Sequence, residues 1–317
     1  MSVNALQLVS IIVPCYNEEE SIPLFLMNIV PILEELPNAS YEIIFIDDGS
    51  QDKTLRKLKE EHSKNPNIKY LSFSRNFGKE SALFAGLEKS RGDYVAVMDA
   101  DLQDPPILLK EMYQILLEEE YDCVATARTS RVGEPPIRSW FAKRFYSLIN
   151  RISHVEIKDG ARDYRLMTKQ MVNSIISLRE YNRFSKGIFS WVGYNIKWLT
   201  YENLPRAAGE TKWSFIKLLK YAISGVVGFS ILPLSIATFT GLFFFLLSML
   251  GILVVVIRWI FIGDPVAGWP SLVSIILFAS GLQLLCIGII GEYIAKIYLE
   301  VKERPIYLIK ESSYSEQ

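Results

Sequence analysis

Two long stretches without a charged residue dominate the second half of this sequence. The first runs from Ile231 to Ile257 and the second from Pro265 to Gly291. At about 1.5 Å per residue, a helix of either length can cross the ~30 Å hydrocarbon core of a bilayer. The short connection between them contains glycine and proline, which interrupt helices. The sequence therefore predicts a two-helix transmembrane hairpin at residues 229–300, and core helices of a soluble protein are the weaker alternative.

Basic residues flank the predicted hairpin on both sides. Arg206, Lys212, Lys217 and Lys220 precede it, Lys296, Lys302, Arg304 and Lys310 follow its second helix, and Arg258 alone lies between the two helices. The positive-inside rule then predicts a protein of the cytoplasmic membrane with two spans, its catalytic domain and both termini in the cytoplasm. Helical spacing of apolar residues predicts an amphipathic helix at 211–228. The pattern alone fits a packing helix equally well, and its position next to the first span favours a membrane-surface helix. Residues 301–317 are expected to form a cytoplasmic tail whose last segment, KESSYSEQ, is mobile.

Charge and cysteine content exclude other classes of protein. The formal net charge is −1, which provides no general attraction to nucleic acid, so we predict no nucleic-acid partner. The three cysteines are far apart in the sequence, which argues against a disulfide framework and against a zinc site. A reducing compartment is the simplest interpretation.

Residues 1–210 have the pattern of an α/β domain. Continuous apolar runs predict strands buried on both faces of a mostly parallel sheet, at Val9–Val13, Tyr41–Ile46, Ile68–Phe73, Tyr94–Met98 and Cys123–Ala127. Between them, helices are predicted at Glu20–Leu36, Lys53–Ser63, Lys79–Lys89 and Pro106–Glu119. Ligands of such sheets bind at the carboxyl ends of the strands.

Polar segments follow four of these strands. They are PCYNEEE, DDGSQDKT, DADLQD and ARTSR, in chain order. In DADLQD, Asp99 and Asp101 can reach one cation, with Gln103 as a neutral third ligand, and such oxygen ligands suit Mg²⁺ or Mn²⁺. When the triplet is taken alone, a solvated turn is the better explanation, and only its context favours a metal site. Asp104, with two prolines after it, is predicted to start the next helix.

Several motifs together resemble the family 2 glycosyltransferases. They are VSIIVPCYNEEESI, EIIFIDDGSQDKT, SRNFGKESAL and VMDADLQDPP. GARDYRLM, RFSKGIFSWVGY and PRAAGETKWS, followed by two apolar runs, narrow the resemblance to polyisoprenyl-phosphate glycosyltransferases. This group includes dolichol-phosphate mannose synthase and, with a closer resemblance, the bacterial bactoprenol glucosyltransferases. The resemblance implies a GT-A catalytic domain, a Rossmann-like nucleotide-sugar-binding fold.

The resemblance also implies roles for individual residues. The nucleotide-sugar contacts would be Pro14, Tyr16, Asn17, Glu18, Asp48, Lys79 and Asp99, and the metal ligands Asp99, Asp101 and Gln103. The catalytic residues would be Asp163, Asp101 and Arg165, and the acceptor or diphosphate contacts Arg128, Arg131, Arg206 and Lys212. Two positions depart from the usual pattern, Arg162, where glycine is common, and Glu210, where a neutral residue is common.

The implied reaction is inverting transfer of a sugar, glucose first, from a UDP-sugar to undecaprenyl phosphate. A lipid phosphate with a second pKa near ~6 is largely a dianion at neutral pH, so Asp163 is expected to orient the acceptor or the metal rather than to act as an obligatory base. N-acetylglucosamine, galactose and a modified pentose remain open as sugars. A processive polysaccharide synthase and a non-catalytic membrane scaffold are the rival functions. A homo-oligomer through the hairpin is a further expectation.

Overall fold

The computed structural model describes residues 6–129, 158, 160–202, 230, 232–262 and 268–314. The expected membrane-surface helix at 211–228 lies outside these residues. So do three of the predicted acceptor contacts, Arg131, Arg206 and Lys212.

The described chain contains an α/β domain followed by two long helices and a final strand. Its strands are β1 Gln7–Cys15, β2 Ala39–Asp47, β3 Ile68–Phe73, β4 Tyr94–Val97, β5 Cys123–Arg128, β6 Ala161–Thr168, β7 Ile196–Tyr201 and β8 Ile309–Ser312. Its helices are α1 Ser21–Glu34, α2 Thr54–Lys64, α3 Lys79–Lys89, α4 Leu108–Glu118, α5 Lys169–Ser177, α6 Ser185–Trp191, α7 Leu232–Ile262 and α8 Trp269–Val301.

The eight strands form one sheet in the order β7-β5-β6-β4-β1-β2-β3-β8. The pairs β1/β2, β1/β4 and β2/β3 are parallel, as the apolar runs predict. The pair β5/β7 is also parallel, although no apolar run predicts β7. The pairs β4/β6, β5/β6 and β3/β8 are antiparallel. The sheet is therefore mixed, because β6 and β8, which the apolar runs do not predict, enter it in the opposite direction.

Helices cover both faces of the sheet. Alternate residues of β1 face opposite sides, so Ile11 packs with α1, α2 and α4 while Ile12 packs with α3, α5 and α6. Gly86 brings α3 close to the sheet, because a Cβ at this position would lie 2.2 Å from Cγ2 of Ile12 and 2.8 Å from Cδ1 of Ile46. This close approach fixes the position of α3 relative to β1 and β2.

The two long helices form an antiparallel hairpin. The hydroxyl of Tyr293 donates a hydrogen bond to the carbonyl of Ser230 (2.7 Å), and the rings of Phe244 and Phe278 lie 5.3 Å apart. Within the described residues, one segment, Pro233–Gly251, is long and apolar enough to cross a membrane by length and composition. Many apolar side chains of both helices are exposed. A Cβ at Gly241, Gly251, Gly281 or Gly288 would meet no atom within 4 Å, so these glycines do not form the contact between α7 and α8.

Part of the tail that we expected to be mobile belongs to the sheet. Strand β8 pairs antiparallel with β3, and the Tyr307 ring stacks on Phe73 at 5.0 Å between ring centroids. The Tyr70 amide also donates a 2.9 Å hydrogen bond to the hydroxyl of Ser313. The sequence of β8, IKES, is polar and does not predict a strand, because an edge strand gains its stability from backbone pairing rather than from an apolar run.

Candidate active site

The carboxyl ends of β1, β2 and β4 meet at one edge of the sheet. Cys15 pairs with Asp47 at the ends of β1 and β2. Strand β6 runs in the opposite direction beside β4, with Val97 opposite Arg165. Asp99 follows Val97 by two residues, Asp163 precedes Arg165 by two residues, and both carboxylates contact Lys79. The topology thus brings together two carboxylates that are more than sixty residues apart in the sequence.

A single ammonium group lies between these two carboxylates. The Lys79 Nζ is 2.7 Å from Oδ1 and 2.9 Å from Oδ2 of Asp99, and 2.6 Å from Oδ2 of Asp163. All three side chains are partly accessible, at 33% for Lys79, 26% for Asp99 and 18% for Asp163. The three residues predicted for donor binding and catalysis therefore form one contiguous group.

Burial and nearby charge shift the pKa values of Lys79 and Asp163 in opposite directions. Burial alone would lower the pKa of Lys79, but attraction to Asp163 and Asp99 outweighs it and raises the pKa above its ordinary value. Burial alone would raise the pKa of Asp163, but Lys79, then Lys186, outweigh it and hold the pKa below the usual range of a carboxylate. Asp163 is therefore ionised at neutral pH and a poor proton acceptor.

Asp48 holds the loop that leads into Lys79. Its carboxylate accepts hydrogen bonds from the amides of Phe77 (2.6 Å) and Gly78 (2.9 Å). Gly78 has φ +98°, a conformation that side chains rarely adopt, and Lys79 is the first residue of α3. Burial raises the pKa of Asp48 to about 6 in spite of these two bonds. Asp48, predicted as a nucleotide contact, here positions the lysine.

The segment after β1 is joined to the loop after β2. The Asn17 amide donates to the Ser50 hydroxyl (2.9 Å), and the Gln51 amide donates to Oδ1 of Asn17 (2.8 Å). The Glu18 amide donates to the Thr54 hydroxyl (2.8 Å). Four of the residues predicted to contact the nucleotide thus lie together at the ends of β1 and β2, namely Pro14, Tyr16, Asn17 and Glu18. Asn17 adopts φ +53°.

Asp47, the last residue of β2, has a structural role. It is buried, at 1% exposure. One carboxylate oxygen accepts the Ser50 amide (2.9 Å) and the other accepts the Ser72 hydroxyl (2.7 Å). The two adjacent aspartates therefore have different roles. Asp47 closes its own turn, and Asp48 holds the loop before α3.

The rest of DADLQD is held by contacts within the segment and with Arg162. The Gln103 amide donates to Oδ1 of Asp101 (3.2 Å), and Oε1 of Gln103 accepts from Arg162 Nη2 (3.4 Å). The prediction that Asp104 starts a helix is wrong, since α4 begins at Leu108. Asp104 is 3% exposed, pairs with Arg162 Nε at 2.8 Å, and accepts a hydrogen bond from Tyr201. The Asp104 carboxylate is therefore engaged by Arg162 and Tyr201 rather than by the N-terminus of a helix.

The residues predicted as metal ligands offer a donor set that suits a divalent cation. Within the described ranges, no group of three or more His, Cys, Asp or Glu side chains is arranged to hold a metal ion. Asp99 already binds a cation, the Lys79 ammonium, through both oxygens. Asp101 is two residues away and provides a second hard oxygen donor of the kind that Mg²⁺ and Mn²⁺ prefer. Asp99 and Asp101 therefore carry the type of donor that a divalent metal prefers, and further ligands would have to come from outside this pair.

Two predicted arginines have different surroundings. Arg165 is 2% exposed, and its guanidinium donates to the carbonyls of Arg162 (2.9 Å) and Asp163 (3.3 Å) and stacks on Phe189. It therefore stabilises the backbone that carries Asp163. Arg128 ends β5 and is partly exposed.

Two functional residues were missed by the sequence analysis. Lys186 donates to the Ala161 carbonyl (3.0 Å) and contributes positive charge near Asp163. Glu80, next to Lys79, accepts the Ser185 amide (2.9 Å) and so joins α3 to α6. Both lie in motifs that the sequence interprets only through the family resemblance, SRNFGKESAL and RFSKGIFSWVGY. The spacing of these motifs in the sequence gives no sign that they lie close together in the fold.

Comparisons with known proteins give consistent similarities. Residues 10–176 match the family described as glycosyl transferase family 2. The chain is 44% identical to the putative glycosyltransferase CsbB of Bacillus subtilis, over 96% of this chain and 92% of that protein. It is 42% identical to the bactoprenol glucosyl transferase of Shigella phage SfX, over 95% of this chain and 98% of that protein. A crystal structure of glucosyl-3-phosphoglycerate synthase from Mycobacterium tuberculosis with Mn²⁺, uridine-diphosphate-glucose and phosphoglyceric acid aligns at 18% identity and a TM-score of 0.46, covering 70% of this chain and 78% of that chain.

Proposed function

The chain belongs to glycosyl transferase family 2, and on this basis we propose that it transfers glucose from UDP-glucose to a polyisoprenyl phosphate such as undecaprenyl phosphate. The observation that carries the proposal is the meeting of Asp99 and Asp163 at one cation, Lys79. The similarity to bactoprenol glucosyl transferases, which extends over nearly the whole chain, supports the choice of acceptor and of sugar.

The donor would bind at the ends of β1, β2 and β4. The joined loops that carry Asn17 and Ser50 provide a rigid surface for the base and ribose. Asp99 and Asp101 would hold Mg²⁺ or Mn²⁺, with Gln103 as a third ligand after release from Arg162. When bound, the metal supplies Lewis-acid stabilisation of the leaving diphosphate.

The acceptor would react by a single displacement. A phosphate oxygen of the lipid attacks the anomeric carbon, a new C–O bond forms, and the bond to UDP breaks, with the electron pair leaving on the diphosphate. This displacement inverts the anomeric centre. Asp163, held ionised by Lys79 and Lys186, orients the reacting groups, while Lys79 provides fixed positive charge.

A membrane hairpin would bring this site to a lipid acceptor. A polyisoprenyl phosphate is confined to the membrane, so the catalytic crevice has to lie at the membrane surface. Helices α7 and α8 expose apolar side chains along their length, and we assign both as spans, with the catalytic domain on the cytoplasmic face. Arg128, Arg131, Arg206 and Lys212 would bind the phosphate of the acceptor or the diphosphate of the donor, and hairpins of neighbouring subunits would pack together.

A direct assay tests the proposal. Membranes that contain the protein are incubated with undecaprenyl phosphate, Mg²⁺ or Mn²⁺ and a panel of UDP-sugars, and the lipid product is identified by mass. We expect a hexose-phosphate lipid from UDP-glucose, and loss of this product in Asp101→Asn. If the product forms from UDP-N-acetylglucosamine, UDP-galactose or a UDP-pentose and not from UDP-glucose, that sugar replaces glucose as the one transferred. No product from any donor, or an unchanged product in Asp101→Asn, would overturn the proposal.

A further inference from the structure

Lys79 occupies the position in which a cation would be expected. Its ammonium contacts both carboxylate oxygens of Asp99, the first aspartate of the D-x-D segment, at 2.7 and 2.9 Å. It also contacts Asp163 at 2.6 Å. An ammonium and a divalent metal cannot both lie against one carboxylate without strong repulsion between the two cations. The same oxygens therefore serve two alternative cations.

The lysine is placed there by the fold rather than by chance. Asp48 fixes the amides of Phe77 and Gly78, and Lys79 follows directly as the first residue of α3. On its other side, Glu80 accepts the Ser185 amide and hydroxyl and ties the start of α3 to α6. With the backbone held on both sides, the ammonium lies at the end of a four-carbon side chain that can rotate while its Cα stays in place.

Asp163 keeps a positive neighbour when Lys79 moves. Lys186 donates to the Ala161 carbonyl at 3.0 Å, and its charge acts on Asp163. Among the described residues, Lys79 is the only group that forms an ion pair with Asp99, and the charge of Arg162, which pairs with Asp104, also acts on Asp99. Both carboxylates therefore keep a more distant positive charge when the ammonium moves away, and Asp99 becomes available to another cation.

We propose that Lys79 is the resident counter-cation of Asp99, which competes with a divalent metal for this carboxylate in the protein without donor. This inference rests on the proposed function and deepens it. The metal binds weakly alone, because it has to displace an ammonium that is already in place. It binds well with a nucleoside diphosphate, because the phosphates supply further oxygen ligands and give the displaced ammonium an anionic partner. Metal and donor therefore enter together.

Metal binding without catalysis tests this competition. The full-length protein in detergent is titrated with Mn²⁺ alone, and free Mn²⁺ is measured by electron paramagnetic resonance. Lys79→Met and Lys79→Gln remove the charge, and Lys79→Arg retains it. We expect Met and Gln to bind Mn²⁺ about 10-fold more tightly than the wild type, and Arg to bind like the wild type. Adding UDP should tighten Mn²⁺ binding much more in the wild type than in Lys79→Met.

Two further measurements show whether tighter Mn²⁺ binding arises at Asp99 or from a change in folding. The double variant Lys79→Met with Asp99→Asn should lose the tighter binding, which locates it at Asp99. Thermal unfolding of each variant reports whether the protein is folded, and Lys79→Gln retains a polar side chain in case Met disturbs the helix start. Unchanged or weaker Mn²⁺ binding in folded Lys79→Met and Lys79→Gln would overturn the inference.

The outcome remains distinct from that of the function assay. If Mn²⁺ binds more tightly to Lys79→Met but no UDP-sugar gives a lipid product, the proposed function fails and the competition stands. If the wild type makes the lipid product and the variants show no tighter Mn²⁺ binding, the function stands and the competition fails.

Discussion

Asp48 illustrates how one carboxylate can influence a site through the backbone. Its oxygens accept the amides of Phe77 and Gly78, and burial raises its pKa to about 6. The folded protein therefore holds a proton on Asp48 more tightly than the unfolded chain does, whose carboxyl has the ordinary value of 3.8. The stabilising contribution of Asp48 is complete below pH 3.8 and is lost as the pH rises through about 6.

Asp48→Asn should remove this pH dependence. Relative to the variant, the wild type should lose about 1–3 kcal/mol of unfolding free energy between pH 4 and 6, and nothing more above pH 7. Denaturation midpoints of both proteins in detergent, measured from pH 4 to 8, check this. Parallel curves over the whole range would contradict the expectation.

Asp163→Asn separates an orienting carboxylate from a general base. Since Lys79 and Lys186 hold the pKa of Asp163 below its usual range, we expect orientation to be its role. Initial rates should then fall about 100-fold at both pH 6 and pH 8.5, because the lipid phosphate already carries the nucleophilic oxygen. Recovery of most activity at pH 8.5, where the acceptor is fully a dianion, would support a base instead.

Arg162 shows why a departure from a family pattern can be structural. Its guanidinium pairs with the buried carboxylate of Asp104 at 2.8 Å. Arg162→Gly should cost about 3–5 kcal/mol of unfolding free energy, because it leaves a buried charge with Tyr201 alone. The double variant with Asp104→Asn serves as the control and should recover part of this loss. Equal stability of wild type and Arg162→Gly would refute the role.

At the scale of elements, strand β6 separates what the sequence predicts from what it does not. The five strands with continuous apolar runs were predicted and are confirmed, because burial on both faces leaves a simple signal. The strand that carries Asp163 reads ARDYRLMT, and its charged residues hide it. Its antiparallel pairing with β4 brings Asp163 to the end of β4 from which Asp99 follows. The site residues could be named by resemblance, but their contacts depend on this unpredicted strand.

Helix α3 offers a test at the same scale. Gly86→Ala would place a Cβ 2.2 Å from Ile12 and 2.8 Å from Ile46, so α3 has to move away from the sheet. We expect the free energy of unfolding to fall by about 1–3 kcal/mol. The initial rate of the folded variant should fall as well, since Lys79 begins this helix. Thermal unfolding and initial rates check both. Gly241→Ala is the matched control, because a Cβ there meets no atom within 4 Å.

At the scale of the whole molecule, the end of α8 is joined to the catalytic domain in two places. Glu300 accepts the amides of Tyr181 (3.0 Å) and Asn182 (3.2 Å). A few residues later the Tyr307 hydroxyl donates to Glu88 (2.6 Å), and β8 pairs with β3. The hairpin is therefore connected to the sheet by packing as well as by the chain.

Removing residues 305–317 should reveal this connection. We expect the unfolding temperature to fall by about 4–8 °C, because β3 becomes an exposed edge, and transfer to a lipid acceptor to fall more than binding of UDP-glucose does. Removal of 315–317 alone, which leaves β8 in place, is the control. Equal losses of donor binding and lipid transfer would show that the strand serves stability only.

The place of β8 in the chain has a consequence for biosynthesis. Among the described elements, the ribosome makes seven strands of the catalytic sheet first, then both helices of the hairpin, and then the eighth strand. The edge beside β3 therefore stays open during translation until α7 and α8 have emerged. Closing it joins segments more than two hundred residues apart, which is among the slowest kinds of contact to form. The catalytic sheet of a nascent chain is thus completed only after its hairpin has been synthesised.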